Sequence, residues 1–194
     1  MNIAAGEIYH IYNQGNNKEI IFHIAADYLE FLRLFRRLLF PHCKVLAYCL
    51  MPNHFHFLIY ATEDAASVKK VGNINSCVLA NGFRLLQSNY AQYFNQSNNR
   101  SGSLFRQKAK AKPVVSNDIC HQVQVFMYIH QNPLQAGIVN KLEDWHYSSF
   151  NDYTGARNGT LCDRKITEKL LGITKENFHE RSSGNIDLVK ISNR

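Results

Sequence analysis

Acidic side chains are missing from a long central stretch of this chain. Between Ala65 and Asn117 no Asp or Glu occurs, while Lys69, Lys70, Arg84, Arg100, Arg106, Lys108, Lys110 and Lys112 do. Such a stretch excludes an evenly charged surface and favours an anionic partner. No apolar run reaches the roughly 18 residues that a membrane-spanning helix requires, so no membrane span is expected. Met1–Glu7 has neither a basic segment nor an apolar core of the kind a secretory signal carries. The five cysteines (Cys43, Cys49, Cys77, Cys120 and Cys162) are odd in number and form no C-x-x-C pair. That spacing argues against a disulfide framework or a zinc site and for reduced, mostly buried thiols in a cytoplasmic protein. No internal repeat or low-complexity tract is present.

What is present is a globular composition. The 194 residues are 45% apolar and carry a formal net charge of +7. This length suffices for one domain with a core, or one domain plus an appendage. The basic stretch is interleaved with Phe83, Tyr90, Tyr93, Phe94 and Phe105. Cationic side chains neutralise phosphates and aromatic faces stack on unpaired bases, so the combination points to a nucleic-acid surface. The competing reading is a solvated helix face above core aromatics.

Patterning predicts the elements. Residues 8–13 alternate as a strand, and Gln14-Gly-Asn-Asn17 signals a turn. Helical spacing runs from about Ala25 to Leu39. Residues 44–50 and 54–60 read as a hairpin closed by Met51-Pro-Asn53. A helix is expected from about Val68 to Phe94, interrupted near Gly72-Asn73, followed by a polar loop over 95–102. A weak strand is expected over 110–115. A helix capped by Asn117 or Asp118 should run to Gln131 and stop at Asn132-Pro133. Residues 1–155 then form the domain. Residues 156–194 read as a polar appendage, with a short helix near Ile166–Leu171. The order β-α-β-β-α-β with a further helix suggests a ferredoxin-like α+β layer, an antiparallel sheet with helices on one face.

Two segments carry chemistry. In Tyr48-Cys-Leu-Met-Pro-Asn-His-Phe-His-Phe-Leu-Ile-Tyr60 the side chains of His54 and His56 share one strand face, and Phe55 points the other way. Two neutral imidazoles on one face are half of a metal site. In Val125-Phe-Met-Tyr-Ile-His-Gln-Asn-Pro133, Tyr128 and Asn132 are one helical turn apart on the same face. Tyrosine supplies a hydroxyl nucleophile, and asparagine a neutral oxygen ligand. Two imidazoles and an amide leave a divalent cation open to phosphate oxygens, with Mg²⁺ or Mn²⁺ the fitting ions. Tyr128 would need nearby positive charge to ionise. Each part also has a plain structural reading: a strand-edge His pair, a core tyrosine, an asparagine that ends its helix. Gln131 is an alternative third ligand. His10, His121, His130 and His146 carry no signal individually.

At these residues the chain resembles the single-tyrosine HUH transposases, and most closely their REP-associated branch. Leu50-Met-Pro-Asn-His-Phe-His-Phe-Leu-Ile59 is similar to the His-hydrophobe-His motif. Tyr9-His-Ile-Tyr-Asn-Gln-Gly-Asn-Asn17 resembles the first strand and turn, and Arg100-Ser-Gly-Ser-Leu-Phe-Arg106 an Arg-Ser-Gly-x-Leu-Trp segment. Tyr128-Ile-His-Gln-Asn-Pro-Leu-Gln-Ala-Gly-Ile-Val139 resembles Tyr-Ile-x-x-Asn-Pro-Val-x-Ala-Gly. Trp145-His-Tyr-Ser-Ser149 resembles Trp-x-x-Ser-Ser. These segments run in order over about residues 8–155. Phe105 replaces the usual Trp, and Leu134-Gln135 the usual Val-Arg, which removes one phosphate contact.

The resemblance implies a ferredoxin-like, HUH-type nuclease that cuts single-stranded DNA beside a hairpin. His54, His56 and Asn132 would be metal ligands. Tyr128 would form a 5′-phosphotyrosine and leave a 3′-OH. Arg84, Arg100, Arg106, Lys108, Lys110 and Lys112 would contact DNA. Tyr90, Tyr93 and Tyr48 are the alternative nucleophiles. A catalytically silent hairpin-binding protein for DNA or RNA is the competing class, and an RNA-processing or replication-initiation nuclease of the same chemistry a third. A homodimer and a monomer are both open.

Overall fold

Strand alternation organises the molecule around one four-stranded sheet. In the computed structural model, residues 1–114 and 118–182 are described. The strands of the sheet are β1 (Ile8–Gln14), β2 (Cys43–Met51), β3 (His54–Ala61) and β6 (Lys110–Val114). Their order is β2-β3-β1-β6, and every neighbouring pair is antiparallel. A small hairpin, β4 (Val68–Val71) and β5 (Ile74–Cys77), stands apart from it. The helices are α1 (Ala25–Leu38), α2 (Glu63–Ala66), α3 (Val78–Ser97), α4 (Ile119–Gln135), α5 (Phe150–Thr154), α6 (Arg164–Leu171) and α7 (Lys175–Ser182).

One sheet face is dry and aromatic. Phe55 and Phe57 point into it, against Phe31 and Phe35 of α1 and Phe83 of α3. The Phe35 and Phe57 rings stack at 4.3 Å, and all five residues are buried. Each such aromatic pair adds about 0.5–1.5 kcal/mol beyond its burial. α1 begins where Asp27 accepts hydrogen bonds from the backbone amides of His23 and Ile24, which satisfies donors the helix cannot. α4 covers the opposite face, packed on β2 and β3. Helices therefore lie on both faces, not on one as expected. The alternation itself explains this: His54 and His56 face α4, and the sheet buries both sides.

The hairpin that carries the histidines is held at its turn. The amide of Gly15 donates to the carbonyl of Asn53, and those of Ile21 and Phe22 to Pro52. A Cβ at Gly15 would meet the Glu19 carbonyl oxygen at 2.2 Å, so the 14–17 turn tolerates no side chain there.

Three expectations are corrected. The helix expected from Val68 begins only at Val78, because Gly72, with φ +61°, turns β4 back onto β5. Asp118 caps α4 through the amide of His121 as expected, but α4 passes through Asn132-Pro133 to Gln135. Asn132 and Pro133 are both buried there, which offsets the hydrogen bond that proline cannot make. The helix closes instead at Gly137 (φ +66°), with Ile138 donating to the Pro133 carbonyl. Finally, the polar segment after residue 155 is packed onto the domain as far as Ser182. Phe178 of α7 is fully buried among Phe126, His130, Phe150 and Tyr153. Leu161, Leu171 and Ile173 are buried with it, anchors that the segment's polar composition hides. Asn117 and Val115 lie outside the described residues.

The Trp145–Ser149 segment closes the outer edge of β2. Leu50 donates to Tyr147, Ser149 donates to Tyr48, and the Trp145 indole donates to the Leu50 carbonyl at 3.0 Å. An edge that would otherwise expose pairing groups is covered.

Candidate active site

The register of the two central strands assembles the polar face. Tyr12 lies opposite His56 and Gln14 opposite His54, so His10, Tyr12, His54 and His56 share one side of the sheet. The His54 and His56 rings are 4.9 Å apart and nearly perpendicular. Tyr128 descends from α4, its ring 5.8 Å from that of His56. A hollow of about 230 Å³ opens here, lined by Tyr12, Asn13, Gln14, His54, His56, Arg106, Lys110 and Tyr128.

Hydrogen bonds orient the two imidazoles alike. His54 Nδ1 lies 2.6 Å from Asn53 Oδ1. That oxygen only accepts, so Nδ1 carries the proton and Nε2 its lone pair. His56 Nδ1 lies 2.8 Å from His10 Nε2. His56 Nε2 is buried and has no hydrogen-bond partner among the described residues. A buried, unpartnered ring nitrogen beside a second imidazole is chemically able to ligate a cation.

Burial keeps these rings neutral. It lowers the His54 pKa to about 4, with a side-chain hydrogen bond to Asn132 working against the shift. It lowers His56 well below the usual range, aided by His10 and His54. His10 falls to about 3 through burial and the charge of Lys112. Neutral imidazole is the metal-binding form. Tyr128 moves the other way: burial raises its pKa, partly opposed by a hydrogen bond from Asn132. Ionising Tyr128 is therefore harder than for a free tyrosine, which sharpens the need for nearby positive charge.

Asn132 is buried one turn below Tyr128 and donates from Nδ2 to the Tyr128 carbonyl at 2.7 Å. Its side chain thus neighbours both His54 and Tyr128. Gln131, the alternative ligand, turns to the opposite end of the helix face and donates to the Ser182 carbonyl at 2.8 Å. The donor set is two imidazoles and one amide. Among the described residues, no three His, Cys, Asp or Glu side chains converge on a cation position.

The basic residues separate into groups. Arg106 and Lys110 line the hollow. Arg84, Arg106 and Lys108 line a larger cavity of about 420 Å³ between α3 and the 103–109 loop, so Arg106 borders both. Lys112 sits opposite His10 on β6. Arg100 is an internal clamp, bonded to Glu19, Asn95 and the Ser103 carbonyl. The aromatic side chains of the same stretch do not face outward. Phe83, Tyr90, Phe94 and Phe105 are buried, and the Tyr93 hydroxyl donates to Asp27. The stacking surface expected from them is core instead, because helical spacing on α3 aims them at α1 and the sheet.

The other tyrosines are likewise occupied. Tyr90 donates to the Ile21 carbonyl, and Tyr48 is buried beside Arg157. Tyr12, which lines the hollow, was not singled out by sequence reasoning, and neither was His10. The available signal was Tyr9-His-Ile-Tyr12, whose period of two puts His10 and Tyr12 on one face.

No protein-family model matches the chain, and no curated protein matches it. Among solved structures, a REP-associated tyrosine transposase bound to a REP hairpin superposes with a TM-score of 0.57 at 15% identity, over 82% of this chain and 90% of that one. The likeness first seen in the ordered motifs is therefore present in the fold: a mixed α+β domain, an antiparallel four-stranded sheet with helices, similar to that transposase.

Proposed function

We propose that this chain is a metal-dependent DNA strand-transferase of the HUH tyrosine type, acting on single-stranded DNA beside a hairpin. The observation that carries the reading is that His56, whose buried Nε2 has no hydrogen-bond partner among the described residues, lines a hollow together with His54, Tyr128, Arg106 and Lys110. The antiparallel strand order β2-β3-β1-β6 supports a ferredoxin-like reading of the sheet and, with it, the HUH assignment. The structural relative is bound to a REP hairpin, and we extend a hairpin partner to this chain, with DNA as its expected chemistry.

His54, His56 and Asn132 would hold Mg²⁺ or Mn²⁺, which when bound supplies Lewis-acid stabilisation of a phosphodiester. With no carboxylate in the set, the phosphate itself completes the charge. Arg106 and Lys110 attract and orient the backbone across the hollow. Tyr128 Oη attacks phosphorus, the P–O3′ bond breaks, and the 3′ oxygen leaves with a proton. The covalent 5′-phosphotyrosine conserves the bond energy. A second 3′-OH then displaces Tyr128 and restores a phosphodiester.

One observation favours the silent hairpin-binding alternative: burial keeps Tyr128 protonated. The two readings separate on end-labelled single-stranded DNA from the flanks of the gene, with Mn²⁺, with Mg²⁺ and with EDTA. A metal-dependent covalent adduct lost in Tyr128→Phe is the expected result. Hairpin binding without any adduct would establish the silent binder.

A further inference from the structure

His10 sits behind the histidine pair, not in the hollow. Its Nε2 lies 2.8 Å from His56 Nδ1, and the two rings are stacked at 5.0 Å. Both side chains are buried. Only one proton fits between those two nitrogens. If His10 supplied it, His56 would carry its own proton on Nε2, as a buried N–H with no acceptor among the described residues. Orphaned buried N–H groups are rare. If His56 supplies it, Nε2 is left as a bare lone pair beside the lone pair of His54.

We propose that His10 is a positioning residue: by accepting the Nδ1 proton of His56, it fixes the tautomer that presents His56 Nε2 to a divalent cation. Tyr12 packs against both rings, 4.9 Å from His10 and 5.9 Å from His56, and restrains their rotation. The inference rests on the metal-binding half of the function proposed above. Hydrogen-bond partners of ligating histidines typically contribute 10–100-fold to metal affinity.

The test is imidazole ¹⁵N NMR on the full-length, metal-free, histidine-labelled protein near pH 7.5, followed by titration with Mn²⁺ alone. The expected wild-type result is His56 protonated on Nδ1 and His10 bare on Nε2. His10→Phe keeps the ring volume and removes the acceptor. It should lose the single His56 tautomer and weaken Mn²⁺ binding about 10- to 100-fold. His10→Gln restores an acceptor and should recover both, which a merely structural role would not require. Wild-type His56 protonated on Nε2 overturns the proposal even if a variant fails to fold. So does a His10→Phe protein with unchanged tautomer and Mn²⁺ affinity, and so does a wild type that binds no Mn²⁺. Normal tautomers and Mn²⁺ binding without DNA adducts would instead refute the strand-transfer chemistry and leave this inference standing.

Discussion

The two faces of β3 are made from alternate residues of one strand of eight, and they answer opposite demands. Phe55, Phe57 and Ile59 meet α1 and α3 in a fully buried layer. His54 and His56 meet α4 across a hollow with polar walls. On the first face the side chains are apolar and buried. On the second, one buried nitrogen is left without one. Residues that cost a fold its tidiness without giving packing in return are where chemistry is to be sought. The dry face also explains how the polar face stays in place: its rigidity fixes the register that sets His56 against Tyr12 and His10.

Substitutions on the two faces should separate activity from stability. Tyr128→Phe is expected to abolish covalent DNA adducts outright while the thermal melt stays close to wild type, since the ring is kept. Phe57→Ala should do the reverse, costing about 3–5 kcal/mol in denaturant unfolding through the cavity it leaves. If Phe57→Ala proved mild, the dry face would not be the scaffold argued here.

Acid should act through buried histidines. His130 is fully buried, its Nε2 2.7 Å from the Ser149 hydroxyl, and its pKa is lowered to about 3. The unfolded chain titrates such a group near 6.5, so between about 6.5 and 3 it binds more protons than the folded one. Stability is therefore full above pH 6.5 and declines as pH falls through that window, by up to about 1.4 kcal/mol per pH unit for His130 alone. Denaturant melts across pH 4–8 check this, and His130→Phe should flatten the curve. A flat wild-type curve would contradict the burial argument.

The smallest effects concern the basic side chains. Arg106→Ala and Lys110→Ala should each weaken single-stranded DNA binding and lower the salt slope by about one. Arg100→Ala should leave that slope unchanged, because Arg100 is already paired with Glu19, and cost about 0.5 kcal/mol of stability. Binding titrations at several salt concentrations distinguish the two classes.

Much of this was legible in the chain. Period-two alternation places His54 and His56 on one face, and helical spacing places Tyr128 above Asn132. Where reading failed, long-range packing outweighed local signals. Gly72-Asn73 reads as an interruption in a helix, yet it is the turn of a hairpin. Asn132-Pro133 carries a stop signal, but burial of both residues carries the helix past it. The aromatics of the basic stretch are chemically suited to base stacking, and only the orientation of α3 reveals them as core. Phe178, Leu171 and Ile173 are sparse anchors in a polar segment, too few to set a clear periodicity. His10 acquires meaning only through the cross-strand register.

The hollow offers two tyrosine hydroxyls, Tyr12 and Tyr128, and the central claim concerns which one takes the phosphate. Peptide mapping by mass spectrometry of the metal-dependent DNA adduct tests it most directly. A nucleotide remnant is expected on the peptide containing Tyr128, with none on Tyr12. A remnant on Tyr12, or on any residue outside α4, would contradict it.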